Sequence, residues 1–287
     1  MAERVEIVEM APRDGLQNEA GFIATPAKIA LVDALSQVGF PRIEVASFVS
    51  PKWVPQMADG AAVLAGIARR PGTRYAALTP NLQGFQAALA AGVDEVAIFA
   101  SASEGFSRAN LNCTIAESLA RFAPVLQAAQ AGLVPVRGYV SMVTDCPFDG
   151  PIAPAQVARV VAALRDLGCY EVSLGDTVGQ GDPERVTAML RAVLNEMPPE
   201  RLAGHFHDTA GRALENVEAG LALGLRVFDA AAGGLGGCPY APGAAGNVAT
   251  EKLAARLMAL GYDTGLDPAA LARAAARARR MKGGQDV

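Results

Sequence analysis

Histidine is almost absent from this chain of 287 residues. There are two, and both fall in Gly204-His205-Phe206-His207-Asp208-Thr209. Chemistry that needs imidazole is therefore confined to that one segment. Cysteine is also scarce: Cys113, Cys146, Cys169 and Cys238 are scattered with no CxxC spacing, which argues against a cysteine-rich structural zinc site and suits free thiols in a reducing compartment. Basic residues are outnumbered, with 25 Lys and Arg against 29 Asp and Glu and a net charge of -4. Nonspecific nucleic-acid binding is excluded as the main activity, although a local basic spot can still hold a phosphate. No uninterrupted apolar run reaches the length of a membrane span, because Arg, Asp, Gly and Pro break each one. A linker-like break is missing too, so residues 1–287 read as a single catalytic domain. Met1-Ala2-Glu3-Arg4 leads into a strand pattern rather than a targeting peptide, from which a cytoplasmic protein is expected.

What the chain does contain is alternation. Apolar runs rich in β-branched residues, at Val5 to Met10, Ile43 to Phe48, Tyr75 to Thr79, Glu95 to Ala100, Val136 to Val143, Glu171 to Leu174, Ala203 to His207 and Val227 to Ala231, read as strands. Between them lie segments with apolar residues at three- and four-residue spacing: 26–38, 56–68, 82–91, 115–131, 154–167, 183–196 and 212–223. Eight alternating units in this length predict an α/β fold of the (β/α)8 TIM-barrel type. Thr25-Pro26 and Asp182-Pro183 read as caps followed by a proline at the first helical position. Gly39, Gly92, Gly132, Gly168 and Gly224 read as helix terminators. Residues 261–287 form an expected C-terminal helical extension with a frayed tail.

In such a barrel the reactive residues sit just past the strand ends. The first strand runs into Ala11-Pro12-Arg13-Asp14-Gly15-Leu16-Gln17-Asn18-Glu19; Glu44 and Ser47 end the second, Ser173 and Asp176 the sixth, His205 and His207 the seventh. Positions i and i+2 of a strand share a face, so the two imidazoles can converge on one point, as they can also do on an ordinary exposed strand. Asp14 with the pair supplies mixed oxygen and nitrogen donors, which suit an octahedral divalent ion with open positions. The eighth strand leads into Gly233-Gly234-Leu235-Gly236-Gly237-Cys238, where the thiol exchanges protons, reacts as a nucleophile or is incidental to a loop.

In order along the chain, Glu6 to Glu19, Ser47-Phe48-Val49-Ser50-Pro51-Lys52-Trp53-Val54-Pro55-Gln56-Met57, Leu78-Thr79-Pro80-Asn81, Arg137-Gly138-Tyr139-Val140-Ser141, Ser173-Leu174-Gly175-Asp176-Thr177, Gly234 to Tyr240 and Asn247-Val248-Ala249-Thr250-Glu251 resemble the 3-hydroxy-3-methylglutaryl-CoA (HMG-CoA) lyase family, within the wider pyruvate carboxyltransferase-like group of metal-dependent barrels. The resemblance implies retro-Claisen cleavage of HMG-CoA to acetyl-CoA and acetoacetate, the reaction of leucine degradation and ketone-body formation. It implies Asp14, His205, His207 and Asn247 as ligands of Mg2+ or Mn2+; Glu251, four residues after Asn247, shares its face if that segment is helical and would orient the ligands from behind. Arg13 would stabilise the thioester enolate, oriented by Glu44, and Cys238 would be the acid, with Asp176 as the second candidate.

Ser47, Asn110 and Ser173 match positions near the CoA arm. Some relatives carry a lysine just after Gln17-Asn18-Glu19, where this chain has Ala20; Lys52 and Arg108 are the candidates to replace its phosphate contact. The expected partner is a small acyl-CoA, with no nucleic acid and no membrane, in a homo-oligomer of two or more subunits. The competing readings are a lyase for a longer 3-hydroxy-3-alkylglutaryl-CoA, a Claisen-type synthase or aldolase on the same barrel, and a noncatalytic metal- or CoA-binding barrel. The last does not need an acid and an enolate-stabilising arginine.

Overall fold

The computed structural model describes residues 2–19, 21–236 and 246–282. Eight parallel strands close into a barrel: β1 (Glu6–Glu9), β2 (Arg42–Ser47), β3 (Arg74–Leu78), β4 (Glu95–Ser101), β5 (Val136–Ser141), β6 (Glu171–Asp176), β7 (Leu202–Phe206) and β8 (Val227–Ala230). Each pairs with its sequence neighbours, and β1 closes the ring against β8 in the register Glu6↔Val227 to Glu9↔Ala230. The expected (β/α)8 TIM barrel is what the chain forms.

The surrounding helices are α1 (Thr25–Ser36), α2 (Gly60–Gly66), α3 (Leu82–Ala90), α4 (Glu104–Leu111), α5 (Ile115–Ala131), α6 (Pro154–Leu167), α7 (Pro183–Val193), α8 (Ala213–Ala222), α9 (Thr250–Ala259) and α10 (Pro268–Met281). Asp182 caps α7 as expected, its carboxylate accepting from Arg185 N. Thr25 does not cap α1. It is the first helical residue, and its hydroxyl donates to Asp59 Oδ2 at 2.7 Å, joining α1 to the turn before α2. Gly168 ends α6 at φ 108°, where a side chain would be strained, whereas Gly132 closes α5 at φ -91° and uses no such freedom. The 56–68 segment divides into a 3-10 turn, Pro55–Met57, and α2. Among the described residues no helix is long and apolar enough to cross a membrane.

Two cores result. The larger lies between barrel and helices, where outward residues such as Ile7, Ile43, Val96, Val140 and Leu174 meet Leu31, Phe85, Phe122, Leu164, Leu190 and Leu253. The smaller, inside the barrel, holds Val8, Met10, Leu78, Ala97, Tyr139, Ala203 and Val227. It is small because charged side chains take much of the interior. Arg42 grips Glu171 with Nη1 and Nη2 at 2.8 and 3.1 Å, Arg137 Nε reaches the same carboxylate at 2.6 Å, and Tyr170 donates to Glu95 at 2.8 Å. Charges this deep persist because each is paired and hydrogen-bonded; removing one partner of such a pair typically costs about 3–5 kcal/mol.

Candidate active site

Directly after β1 the chain makes one π-helical turn, Ala11–Gly15, closed by Gly15 N to Met10 O at 3.1 Å. Such turns insert an extra residue and often mark functional sites. Here the turn places Arg13 and Asp14 side by side on the floor of a cavity of about 830 Å³ at the strands' C-terminal end, together with His205, His207 and Tyr139. Gly15 permits a close approach: a Cβ there would stand 2.8 Å from Leu235 Cβ, so a larger residue would push away the segment that carries Gly236 over Asp14.

Asp14, His205 and His207 each offer a ligand atom, and these atoms lie within 4.8 Å of one another. The i, i+2 reading of the histidines holds, with ring centroids 5.4 Å apart. Asn247 Nδ2 donates to Asp14 Oδ2 at 2.7 Å, and Asn247 pairs with His207 in an antiparallel bridge. The sequence-predicted metal residues therefore meet at one point.

The set fits a divalent cation on its own chemistry. Burial would raise the Asp14 carboxyl, but Arg13, the two histidines and Asn247 together hold it down at about 2, so it is a carboxylate at neutral pH. Burial, helped by the neighbouring His205, lowers His207 to about 4, which leaves a neutral imidazole. The buried His207 Nδ1 has no hydrogen-bond partner among the described residues, an orphan that a cation would satisfy. His205 is held by Asp229, whose Oδ2 lies 3.1 Å from its Nδ1. Burial opposes the charged imidazole there, but the bond to Asp229 and that residue's charge raise its pKa overall.

Arg13 is buried and fully committed on one side. Its Nε donates to Glu44 Oε1 and its Nη1 to Asp14 Oδ1 at 2.7 Å. Nη2 takes no partner among the described residues, and the side chain lines the cavity. The other oxygen of Glu44 accepts Tyr139 Oη at 2.7 Å. Arg13 and Glu44 thus form the oriented pair expected from the sequence, and Tyr139, quoted there only within a matching block, completes it.

Other expected residues stand elsewhere. The Asp176 carboxylate accepts Thr144 Oγ1 at 2.6 Å, Gly179 N at 3.2 Å and Gly181 N at 2.9 Å, so it is spent on organising its own turn and is not among the cavity residues. Burial raises its pKa against those bonds. Ser173 Oγ donates to Asp229 Oδ2 at 2.8 Å and so supports the carboxylate behind His205 instead of a CoA arm. Ser47 is buried at the end of β2 with its hydroxyl unpartnered, and it does not line the cavity. Asn110, on α4, does line it.

Glu251 touches no metal-site residue: it accepts Gly233 N at 3.0 Å and Arg279 Nη1 at 2.6 Å, fastening the chain that leads to Gly236 and Asn247. Of the two candidates to replace the missing lysine, Arg108 lines the cavity and Lys52 does not. Cys238 and Ala20 lie outside the described residues. Gly236, two positions before Cys238, packs over the backbone of Asp14, where an added Cβ would be 3.2 Å from Asp14 O.

Three polar residues carry roles that the sequence did not assign: Asp229, Arg137 and Tyr139. Each sits at an inward position of a strand, where period two makes a polar residue in an apolar run face the barrel interior. That alternation was the available signal.

The HMGL-like family model matches residues 4–277. The 3-hydroxy-3-isohexenylglutaryl-CoA/hydroxy-methylglutaryl-CoA lyase of Pseudomonas aeruginosa is 57% identical over 277 residues, covering 96% of this chain and 92% of that protein. The mitochondrial hydroxymethylglutaryl-CoA lyase of Gallus gallus is 56% identical over 265 residues, covering 92% of this chain and 89% of that one. The crystal structure of the HMG-CoA lyase from Brucella melitensis superposes with a TM-score of 0.97 at 57% identity, covering 98% of this chain and 99% of that one. With a matching family model over nearly its whole length and relatives this similar, the chain belongs to the HMGL-like family.

Proposed function

We propose that the protein is a divalent-metal-dependent lyase that cleaves 3-hydroxy-3-methylglutaryl-CoA to acetyl-CoA and acetoacetate. The observation that carries this reading is the sharing of Asp14. One carboxylate oxygen accepts Arg13, and the other accepts Asn247 and stands 3.9 Å from His205 Nε2. A guanidinium suited to an oxyanion and a cluster suited to a cation are thereby fixed next to each other on one cavity floor.

Asp14, His205, His207 and Asn247 would hold Mg2+ or Mn2+, which when bound supplies the Lewis acidity that polarises the substrate's hydroxyl and carboxylate oxygens. In the reaction the tertiary hydroxyl loses its proton and the adjacent C–C bond breaks. The bonding pair passes to the acetyl-CoA enolate, which takes a proton at carbon, so no net proton or water is consumed. Arg13 offers Nη2 to the thioester oxygen as charge builds there, and its charge is fixed because Glu44 and Asp14 raise an already high pKa against the effect of burial. Glu44, held by Tyr139, keeps the guanidinium from turning away. The Cys238 thiol supplies the proton to the enolate carbon; the hydroxyl's proton passes to solvent water, from which the thiolate regains one, so the two transfers cancel.

The test is direct. Metal-stripped protein is supplied with Mg2+ or Mn2+ and HMG-CoA, and acetoacetate and acetyl-CoA are measured; equal amounts of the two are expected, and none without metal. A thioester with a 3-isohexenyl group, a substrate named for the Pseudomonas relative, is run beside it to set the preferred chain length. Failure to cleave either thioester would overturn the reading.

A further inference from the structure

Arg137 lies beneath the cavity floor, 1% exposed, and is bonded on every side. Nε donates to Glu171 at 2.6 Å, Nη1 to Tyr139 Oη at 2.9 Å and Asp229 Oδ2 at 3.1 Å, and Nη2 to Asp229 Oδ1 at 2.8 Å. Two routes lead upward from this one guanidinium. Through Asp229 it reaches His205 Nδ1; through Tyr139 and Glu44 it reaches Arg13 Nε. We propose that Arg137 is a positioning residue that sets both halves of the active site, fixing His205 through Asp229 and Arg13 through Tyr139 and Glu44.

Hydrogen-bond polarity makes the case. A guanidinium can only donate. Because it donates to the Tyr139 oxygen, the single phenolic proton points to Glu44, whose second oxygen is left to accept Arg13. Because it donates to both oxygens of Asp229, that carboxylate is anchored as an acceptor and takes the Nδ1 proton of His205. In the neutral imidazole the Nε2 lone pair is then left free on the side of Asp14, 3.9 Å from its Oδ2, the tautomer a ligand needs. A role confined to balancing Glu171 would not require this fork, since Arg42 already grips the same carboxylate with two bonds.

The rate arm of the test rests on the proposed lyase reaction, whereas the metal arm does not. Three variants are made: Asp229→Asn, Tyr139→Phe and Arg137→Lys. Mn2+ affinity is measured with metal alone by electron paramagnetic resonance, kcat and KM at saturating Mn2+, and folding by thermal melting. Asp229→Asn has one acceptor oxygen where two are needed, so its Mn2+ Kd should rise about 10- to 100-fold. Tyr139→Phe should leave Mn2+ affinity unchanged and lower kcat about 10- to 100-fold, the scale of a small misplacement of a reacting group, with KM little altered. Arg137→Lys keeps the charge but loses the fork, and should show both defects in folded protein.

The proposal falls if folded Arg137→Lys binds Mn2+ and turns over as the parent does. It also falls if Asp229→Asn keeps its Mn2+ affinity or Tyr139→Phe keeps its kcat, and these two decide the matter if Arg137→Lys does not fold. Protein that binds Mn2+ as described but cleaves no acyl-CoA thioester would sink the lyase reading and leave the His205 arm standing.

Discussion

Asn247 and Asp14 are hydrogen-bonded at 2.7 Å although 233 positions separate them in the chain. The bond joins the turn after β1 to the segment after β8, and both residues belong to the proposed cation site. Chelator-treated protein should therefore lose turnover and regain it with Mg2+ or Mn2+. Asp14→Ala and His207→Ala should each weaken Mn2+ binding by about 100-fold or more, and Asn247→Ala by less, as its amide is the weakest donor of the set. Full activity in exhaustively stripped protein would contradict the assignment.

Arg13→Gln separates catalysis from metal binding. Loss of an oxyanion-stabilising donor costs on the order of 3 kcal/mol, and the loss of a charged one more, so kcat should drop by about 10³-fold. Because Arg13 also touches Asp14, Mn2+ affinity is expected to shift only a few-fold. A variant that lost its metal yet kept its rate per loaded site would make Arg13 a mere support for Asp14.

Thiol chemistry should report on Cys238 alone. Cys113, Cys146 and Cys169 are buried free thiols, and burial pushes Cys169 up to about 12, far from a reactive thiolate. A thiol-directed alkylating agent should inactivate the protein by modifying Cys238, with substrate protecting it. Cys238→Ser should bind metal normally and lose about 10²-fold or more in turnover, the range for a lost general acid. Replacement of the other three should leave the rate nearly unchanged. Near-normal turnover in Cys238→Ser would take the thiol out of the mechanism.

Glu9 predicts a pH dependence of stability. Its carboxylate accepts Ala11 N, Ala232 N and Thr250 Oγ1, tying the ends of β1 and β8 to the start of α9. Burial lifts its pKa from 4.5 to about 7, with those donors only partly opposing. An acid whose pKa is higher folded than unfolded stabilises the fold while protonated; its contribution is complete below about 4.5 and is lost as pH rises through about 7. The loss is about 3 kcal/mol. Glu9→Gln mimics the protonated group, so in urea unfolding it should match the parent near pH 4 and exceed it at pH 8. Parallel stability curves for the two proteins would refute this.

The strands were legible because a parallel barrel strand is covered on its outer face by helices, which leaves a compact β-branched run bounded by turn residues. Helix α4 was not: its described core contact rests on Phe106 within a polar stretch, too little for a periodic signal. The metal residues were legible because the scarce histidines stood two apart. Ser173 and Glu251 had the right location but not the right direction, since each spends its polar atoms on a neighbour, Asp229 in one case and Gly233 with Arg279 in the other. Asp229 and Arg137 were hidden inside apolar strands, where only knowledge of which face turns inward distinguishes a site support from a chance charge.

The meeting of Asp14 with Asn247 also sets when the site can come into being. A nascent chain that has delivered β1 through β7 holds three of the four donors but lacks the element that closes the ring and brings Asn247 to Asp14. The proposed cation site is therefore complete only with the segment after β8, and a fragment ending before the eighth strand would have the histidines without a finished socket. Once the ring has shut, an ion bound there stabilises only the closed form, by an amount that grows with its concentration. The strands that close the ring lead directly into Asp14 and Asn247, so opening that seam would part the two residues.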